Sequence, residues 1–157
     1  MVEGLFYNPN IYPFSEYNNR KESVARLSVL LDFRLHLIGE YTPDHFLGNI
    51  NFREKQRRCP ACWSLRINET AGYAARSGFD GFTTTLLISP HQDHEKLKNI
   101  SMQASSRHSI LFVYNDFRVG FRESHEVSKR IGLYHQNYCG CMYSKEERSA
   151  SLNKEQK

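Results

Sequence analysis

Cysteine occurs four times in the chain, as Cys59-Pro60-Ala61-Cys62 and Cys139-Gly140-Cys141. Thiols held this close by local spacing bind a metal or exchange electrons, whereas cysteines used for packing are scattered. Spacing favours a metal over a dithiol redox pair at Cys59 and Cys62, because a thioredoxin-like pair needs a strand just before it. A zinc site there needs two more thiolate or imidazole ligands, and an iron–sulfur cluster needs further cysteines. Cys-Gly-Cys is a poor chelate for a tetrahedral metal but closes into a strained, labile disulfide, with Gly140 supplying backbone freedom. A redox pair and a share in a metal site both remain open for Cys139 and Cys141.

Basic residues lie beside both pairs. Arg53-Glu54-Lys55-Gln56-Arg57-Arg58 runs into Cys59, and Arg118, Arg122, Lys129 and Arg130 precede Cys139. They suit thiolates or phosphates, although most charge runs are solvated faces. The net charge of +4 is modest. Asp116-Phe117-Arg118 places a carboxylate and a guanidinium after an apolar run, a candidate acid or metal ligand. His91 and His94 are expected to share an exposed helix face, His36 to be a satisfied strand residue, and His125 and His135 to flank the last helix. No phosphate-binding glycine loop or serine-hydrolase elbow occurs.

The elements that must position these residues alternate between two periods. Strands are expected over 2–7, 33–38, 82–88 and 110–114. Helices are expected from Ser15 to about Leu31, from Thr42-Pro43, from Cys62 to Ser77 with Gly78 as stop, from Ser89-Pro90 to about Ser106, and from about Ser124 to Gly132. Alternation of this kind implies an α/β fold with a mainly parallel sheet, whose ligands collect at strand ends. At 157 residues the chain is expected to be one domain. Residues 145–157 are polar and expected to be disordered. With no signal peptide or apolar span in the sequence, the expected compartment is the cytoplasm, with no membrane contact, where paired cysteines read as metal-binding or catalytic.

Taken together, these segments resemble the QueH-type epoxyqueuosine reductase family. The matching residues are Phe6-Tyr7-Asn8-Pro9-Asn10-Ile11, Pro13, Glu16-Tyr17, Arg20, Arg58-Cys59, Cys62, Leu65-Arg66, Gly78-Phe79-Asp80, Phe82, Thr84 to Leu87 and Ser89-Pro90. They continue through Asp116-Phe117-Arg118, Gly120-Phe121-Arg122, Ser128-Lys129, Tyr134, Gln136, Tyr138 to Cys141 and Tyr143-Ser144.

The resemblance implies a Rossmann-like domain of the adenine-nucleotide α-hydrolase-like type over residues 1–144. It implies reduction of epoxyqueuosine to queuosine at the wobble position of tRNAs with a GUN anticodon (those for Asp, Asn, His and Tyr), using an unidentified electron donor. It further implies a [4Fe-4S] cluster held in part by Cys59 and Cys62, a redox-active Cys139–Cys141 pair, and Asp116 as a ligand or acid. Tyr7, Asn8, Arg58, Arg118 and Arg122 become expected contacts to tRNA, with Trp63 and Tyr134 suited to base stacking. The family pattern opens on a Cys-Cys-Ala-Pro-Cys strand ahead of Phe-Tyr-Asn-Pro-Asn. The remaining two cluster ligands, and a first central strand, are expected in such a preceding segment, so that the chain reads as an N-terminally incomplete enzyme. The alternatives are an inactive fragment of the reductase, or a noncatalytic, zinc-stabilised RNA-binding module using all four cysteines.

Overall fold

The computed structural model describes residues 1–50 and 52–155. In chain order the elements are β1 (Gly4–Phe6), α1 (Phe14–Leu30), β2 (Leu35–Leu37), α2 (Pro43–Asn49), α3 (Lys55–Arg76), β3 (Gly81–Phe82), α4 (His94–His108), β4 (Leu111–Phe112), α5 (Phe121–Arg130) and α6 (Met142–Glu155). Short 3-10 turns cover Thr85–Ile88 and Phe117–Gly120. The chain groups into two compact units, Met1–Arg53 with Ser128–Lys157, and Glu54–Val127.

In the first unit β1 and β2 pair in parallel, with Gly4, Leu5 and Phe6 opposite Leu35, His36 and Leu37. The crossover between them is α1, as a parallel pair requires. Phe6, Ile11 and Tyr17 form a small core, with Val24, Leu35 and Tyr41 against it. In the second unit Gly81 and Phe82 pair in parallel with Leu111 and Phe112, and the crossover contains α4. Its core is larger and joins Trp63, Ile67, Ala71 and Ala74 of α3 to Phe82, Leu87, Leu97, Ala104 and Ile110. The fold is therefore mixed α/β with short parallel strand pairs.

Several boundaries differ from expectation, each for a local reason. The third helix begins at Lys55, not Cys62, and carries Pro60 in its interior. Proline normally marks a helix start or a break, which hid the first two turns. Residues 82–88 hold only the end of a strand, because the Thr84 hydroxyl accepts from Leu86 N at 3.3 Å and turns the chain into a 3-10 turn that buries Leu87. The fourth helix is capped by Asp93, whose side chain accepts from Lys96 N at 3.1 Å, rather than by Ser89. Ser15 lies inside α1, whose N-cap is Pro13.

The polar segment expected to be disordered is helical as far as Glu155. Its Lys, Glu, Arg, Ala and Leu residues are good helix formers, and its residues from Glu146 to Asn153 are exposed, so propensity rather than packing accounts for it. No helix among the described residues is long and apolar enough to cross a membrane.

Candidate functional site

The first cysteine pair lies in the second unit, on α3. Cys59 is the fifth residue of that helix and Cys62 the eighth, so the pair sits in its second and third turns rather than at its start. The three-residue step places both sulfurs on neighbouring positions of one helix flank. Cys59 also continues the buried stripe of Trp63, Ile67 and Ala71 at four-residue steps, and it packs against that core. Both thiols are half-buried.

Two half-buried cysteines at this spacing, backed by an apolar core, suit one side of a cluster site, but they are two donors of the four such a cluster takes. Among the described residues no three His, Cys, Asp or Glu side chains gather as a metal-binding set. Arg58, an expected tRNA contact, is 4% exposed and does not present its guanidinium to solvent. Trp63, expected to stack on bases, is 6% exposed and belongs to the core.

Asp116 caps the 3-10 turn that follows β4. It accepts from Arg118 N at 3.1 Å and from Arg118 Nε at 2.8 Å, with Nη2 on its second oxygen. These hydrogen bonds from Arg118 hold the Asp116 carboxyl well below the usual carboxylate range. Asp116 is thus ionised near neutrality and suited to a ligand or orienting role, not to proton donation. Arg118 is exposed but committed to this pair, whereas Arg122 is exposed on α5.

His94, expected on an exposed helix face, is buried at the first turn of α4, with Nε2 3.3 Å from Ser89 O. Among the described residues its Nδ1 has no hydrogen-bond partner. His91 lies before the helix, exposed, with its ring edge-on to Phe121. His125 packs on Phe121 at 4.7 Å. His36 pairs with Glu3 from its strand, as expected.

The second cysteine pair lies in the first unit, in a loop closed by α1. Arg20 donates through Nη1 to Cys139 O at 3.1 Å and through Nη2 to Tyr138 O at 2.9 Å. Its Nε binds Glu16 Oε1 at 2.7 Å, one turn earlier on the helix. Glu16, 7% exposed, accepts from the Tyr134 hydroxyl on its other oxygen. Tyr12 N donates to Gly140 O at 2.8 Å, and the Tyr138 hydroxyl donates to Tyr12 O at 2.6 Å. Gly140 has φ +123, and a Cβ there would stand 3.1 Å from Arg20 Nη1 and 3.2 Å from Ile11 Cγ1. Only glycine fits without displacing those neighbours.

Cys141 precedes the first residue of α6 and acts as its N-cap. Its Sγ accepts from Ser144 N and donates to Ser144 Oγ, both at 3.4 Å, while its carbonyl accepts from Lys145 N. His135 is 3.1 Å from the Ser128 hydroxyl. Burial, with the Glu16 charge next in importance, pushes the Tyr138 phenol up to about 12 from 10.0. Tyr134 is raised in the same direction, first by its hydrogen bond to Glu16.

A phenol whose folded pKa is raised adds stability below its unfolded value, and that stability is lost as pH climbs towards the folded one. Urea midpoints should therefore fall between pH 10 and 12, and Tyr138→Phe should flatten that slope while lowering the midpoint at all pH values. An unchanged slope would separate Tyr138 from the alkaline transition.

Comparison with known proteins decides the family. The model for the family described as "Epoxyqueuosine reductase QueH" matches residues 1–147. This chain belongs to the epoxyqueuosine reductase QueH family. It is 35% identical over 152 residues to the protein of that name from Dehalococcoides mccartyi, covering 97% of this chain and 83% of the relative. The Thermotoga maritima relative is 34% identical, with 94% of this chain and 81% of the relative covered. The Helicobacter pylori relative is 37% identical over 98% of this chain but only 44% of its own length.

Both cysteine pairs of this QueH-family chain lie within the matched span. Sequence reasoning assigned no role to Glu16 or Arg20. Their four-residue spacing signals an ion pair on a helix, but nothing local reveals that its target lies 119 residues away. Asn10 is 3% exposed in the loop after β1, and its Oδ1 lacks a hydrogen-bond partner among the described residues.

Proposed function

We propose that this chain is an epoxyqueuosine reductase acting in the cytoplasm on tRNA with a GUN anticodon. The observation that carries the reading is the family match over residues 1–147, which includes both cysteine pairs. Removing the epoxide oxygen is a two-electron reduction: two carbon–oxygen bonds break, a carbon–carbon double bond forms, and two electrons and two protons leave the oxygen as water. The Cys139–Cys141 dithiol can supply both electrons and both protons, becoming a disulfide that an external electron donor must reduce again. Closure by α1 and α6 supports this role, since it holds both cysteines of the loop at defined backbone positions.

Cys59 and Cys62 would contribute two thiolates to a [4Fe-4S] cluster, with two more from a Cys-Cys segment of the family pattern. When bound, such a cluster supplies electrons at low potential or a Lewis-acidic iron. Asp116 stays anionic beside Arg118, and exposed Arg122 offers phosphate contact. Tyr7 and Asn8, at the carboxyl end of β1, lie where parallel folds collect ligands.

The test is anaerobic reconstitution with iron and sulfide of this chain joined to a preceding Cys-Cys segment of the family pattern, followed by turnover of epoxyqueuosine-containing tRNA under reducing conditions. Nucleoside mass spectrometry should show epoxyqueuosine replaced by queuosine. Stoichiometric tight zinc without deoxygenation would favour an RNA-binding module and sink the reductase reading.

A further inference from the structure

Glu16 and Arg20 form a buried ion pair whose remaining donors are spent on one short loop. Side-chain exposure is 8% for Glu16 and 13% for Arg20, so both charges are largely out of water. An ion pair in that position costs desolvation and is a poor device for stability alone. Its geometry gives it a target. The guanidinium fork spans two consecutive carbonyls, of Tyr138 and Cys139, immediately ahead of Gly140. Tyr134 holds the far oxygen of Glu16, so the carboxylate cannot swing away without breaking a second bond. The Arg20 guanidinium also lies over the Tyr138 ring, 5.6 Å from its centre.

The fork is closed while Cys141 Sγ is engaged by Ser144 at the start of α6. Disulfide formation removes the Cys141 proton that is donated to Ser144 Oγ. With its carbonyls tied, the loop has little freedom to rearrange.

We infer that Glu16 and Arg20 are positioning residues that hold the Cys139–Gly140–Cys141 loop in its dithiol arrangement and thereby set how readily the pair oxidises. This rests on the proposed redox role of the pair. On oxidation the two thiols lose two electrons and two protons and form one S–S bond; glutathione disulfide takes them up and is cleaved to two glutathione thiols. Loss of the fork removes stabilisation from the dithiol form only, so the disulfide becomes the easier state to reach.

The experiment equilibrates the full chain with graded glutathione and glutathione disulfide, quenches with acid, and alkylates the remaining thiols. Mass spectrometry then follows the tryptic peptide Ile131–Lys145, which carries Cys139 and Cys141 without the other two cysteines. Arg20→Gln should shift the dithiol–disulfide constant about tenfold towards disulfide, or ~30 mV for this two-electron couple. Arg20→Lys, which keeps the charge but not the fork, should shift it the same way by less, and it carries the test if Arg20→Gln does not fold. Tyr134→Phe, which removes the hydroxyl that holds the far oxygen of Glu16, should give a smaller shift of that sign.

Arg20 variants titrating within about twofold of the parent, or shifting the opposite way, would overturn the inference. A parent chain whose peptide never forms the internal disulfide at any glutathione ratio would instead remove the redox reading, and the inference with it.

Discussion

In the chain joined to the Cys-Cys segment of the family pattern, Cys141→Ser is expected to lower epoxyqueuosine deoxygenation by at least about a thousandfold while keeping the fold and the affinity for tRNA. Cys141 has two separable tasks. As the N-cap of α6 it accepts from Ser144 N, and a serine hydroxyl performs that task at least as well. In its proposed role as half of a dithiol it carries electrons, which serine cannot. The substitution thus removes the proposed redox role and preserves the structural one. Cys139→Ser should be equally inactive, because a single thiol cannot close the disulfide. Circular dichroism would check the fold, and single-turnover assays on epoxyqueuosine-containing tRNA would read the chemistry. Activity within tenfold of the parent in both variants would show that the pair is not the reductant.

The parts of this molecule that were legible in its sequence are those decided locally. Strand–helix alternation gave the parallel pairs, because a parallel crossover needs a helix and the periods of both elements are short. Gly78, with φ +74, ends α3 as its position implies. The cysteine pairs stood out by spacing. What stayed hidden depends on contacts between distant residues or on competition between close ones. Pro60 masked two turns of helix. Thr84 diverted a strand into a 3-10 turn.

Arg58 and Trp63 are buried although their charge and aromaticity suggested contact with tRNA, because those properties report what a side chain can do, not which way a helix turns it. Both lie on α3, and its earlier start places them where they are buried. The loop closure by Glu16 and Arg20 is the extreme case. An i,i+4 pair is visible, but a target more than a hundred residues on is not. His94 shows the same limit in reverse: an exposed surface helix was expected, and the later cap at Asp93 turns that ring inward.

Trp63→Ala should be the most damaging single truncation in the second unit, costing about 3–5 kcal/mol by the usual penalty for emptying a large aromatic site. Against the total stability of a small domain, roughly 5–15 kcal/mol, that loss would leave the unit partly unfolded at ambient temperature. Trp63 joins the stripe that runs from Cys59 through Ile67 to Ala71 on α3, and this stripe meets Leu87, Leu97 and Ala104 in one core. Leu97 and Ala71 are completely buried there, so little neighbouring mobility is available to close the hole. Trp63→Phe keeps most of the volume and should cost far less.

Urea denaturation followed by circular dichroism reads both variants. In the parent, the emission of this only tryptophan should be that of a buried indole and should shift to the red on unfolding. A base-stacking role makes the opposite forecast: Trp63→Ala would keep its urea midpoint and lose tRNA affinity instead. Cys59 lies one turn before Trp63 and rests on the same core. Loosening that core should therefore also weaken the proposed metal uptake at Cys59 and Cys62, in step with the loss of stability across the Phe and Ala variants.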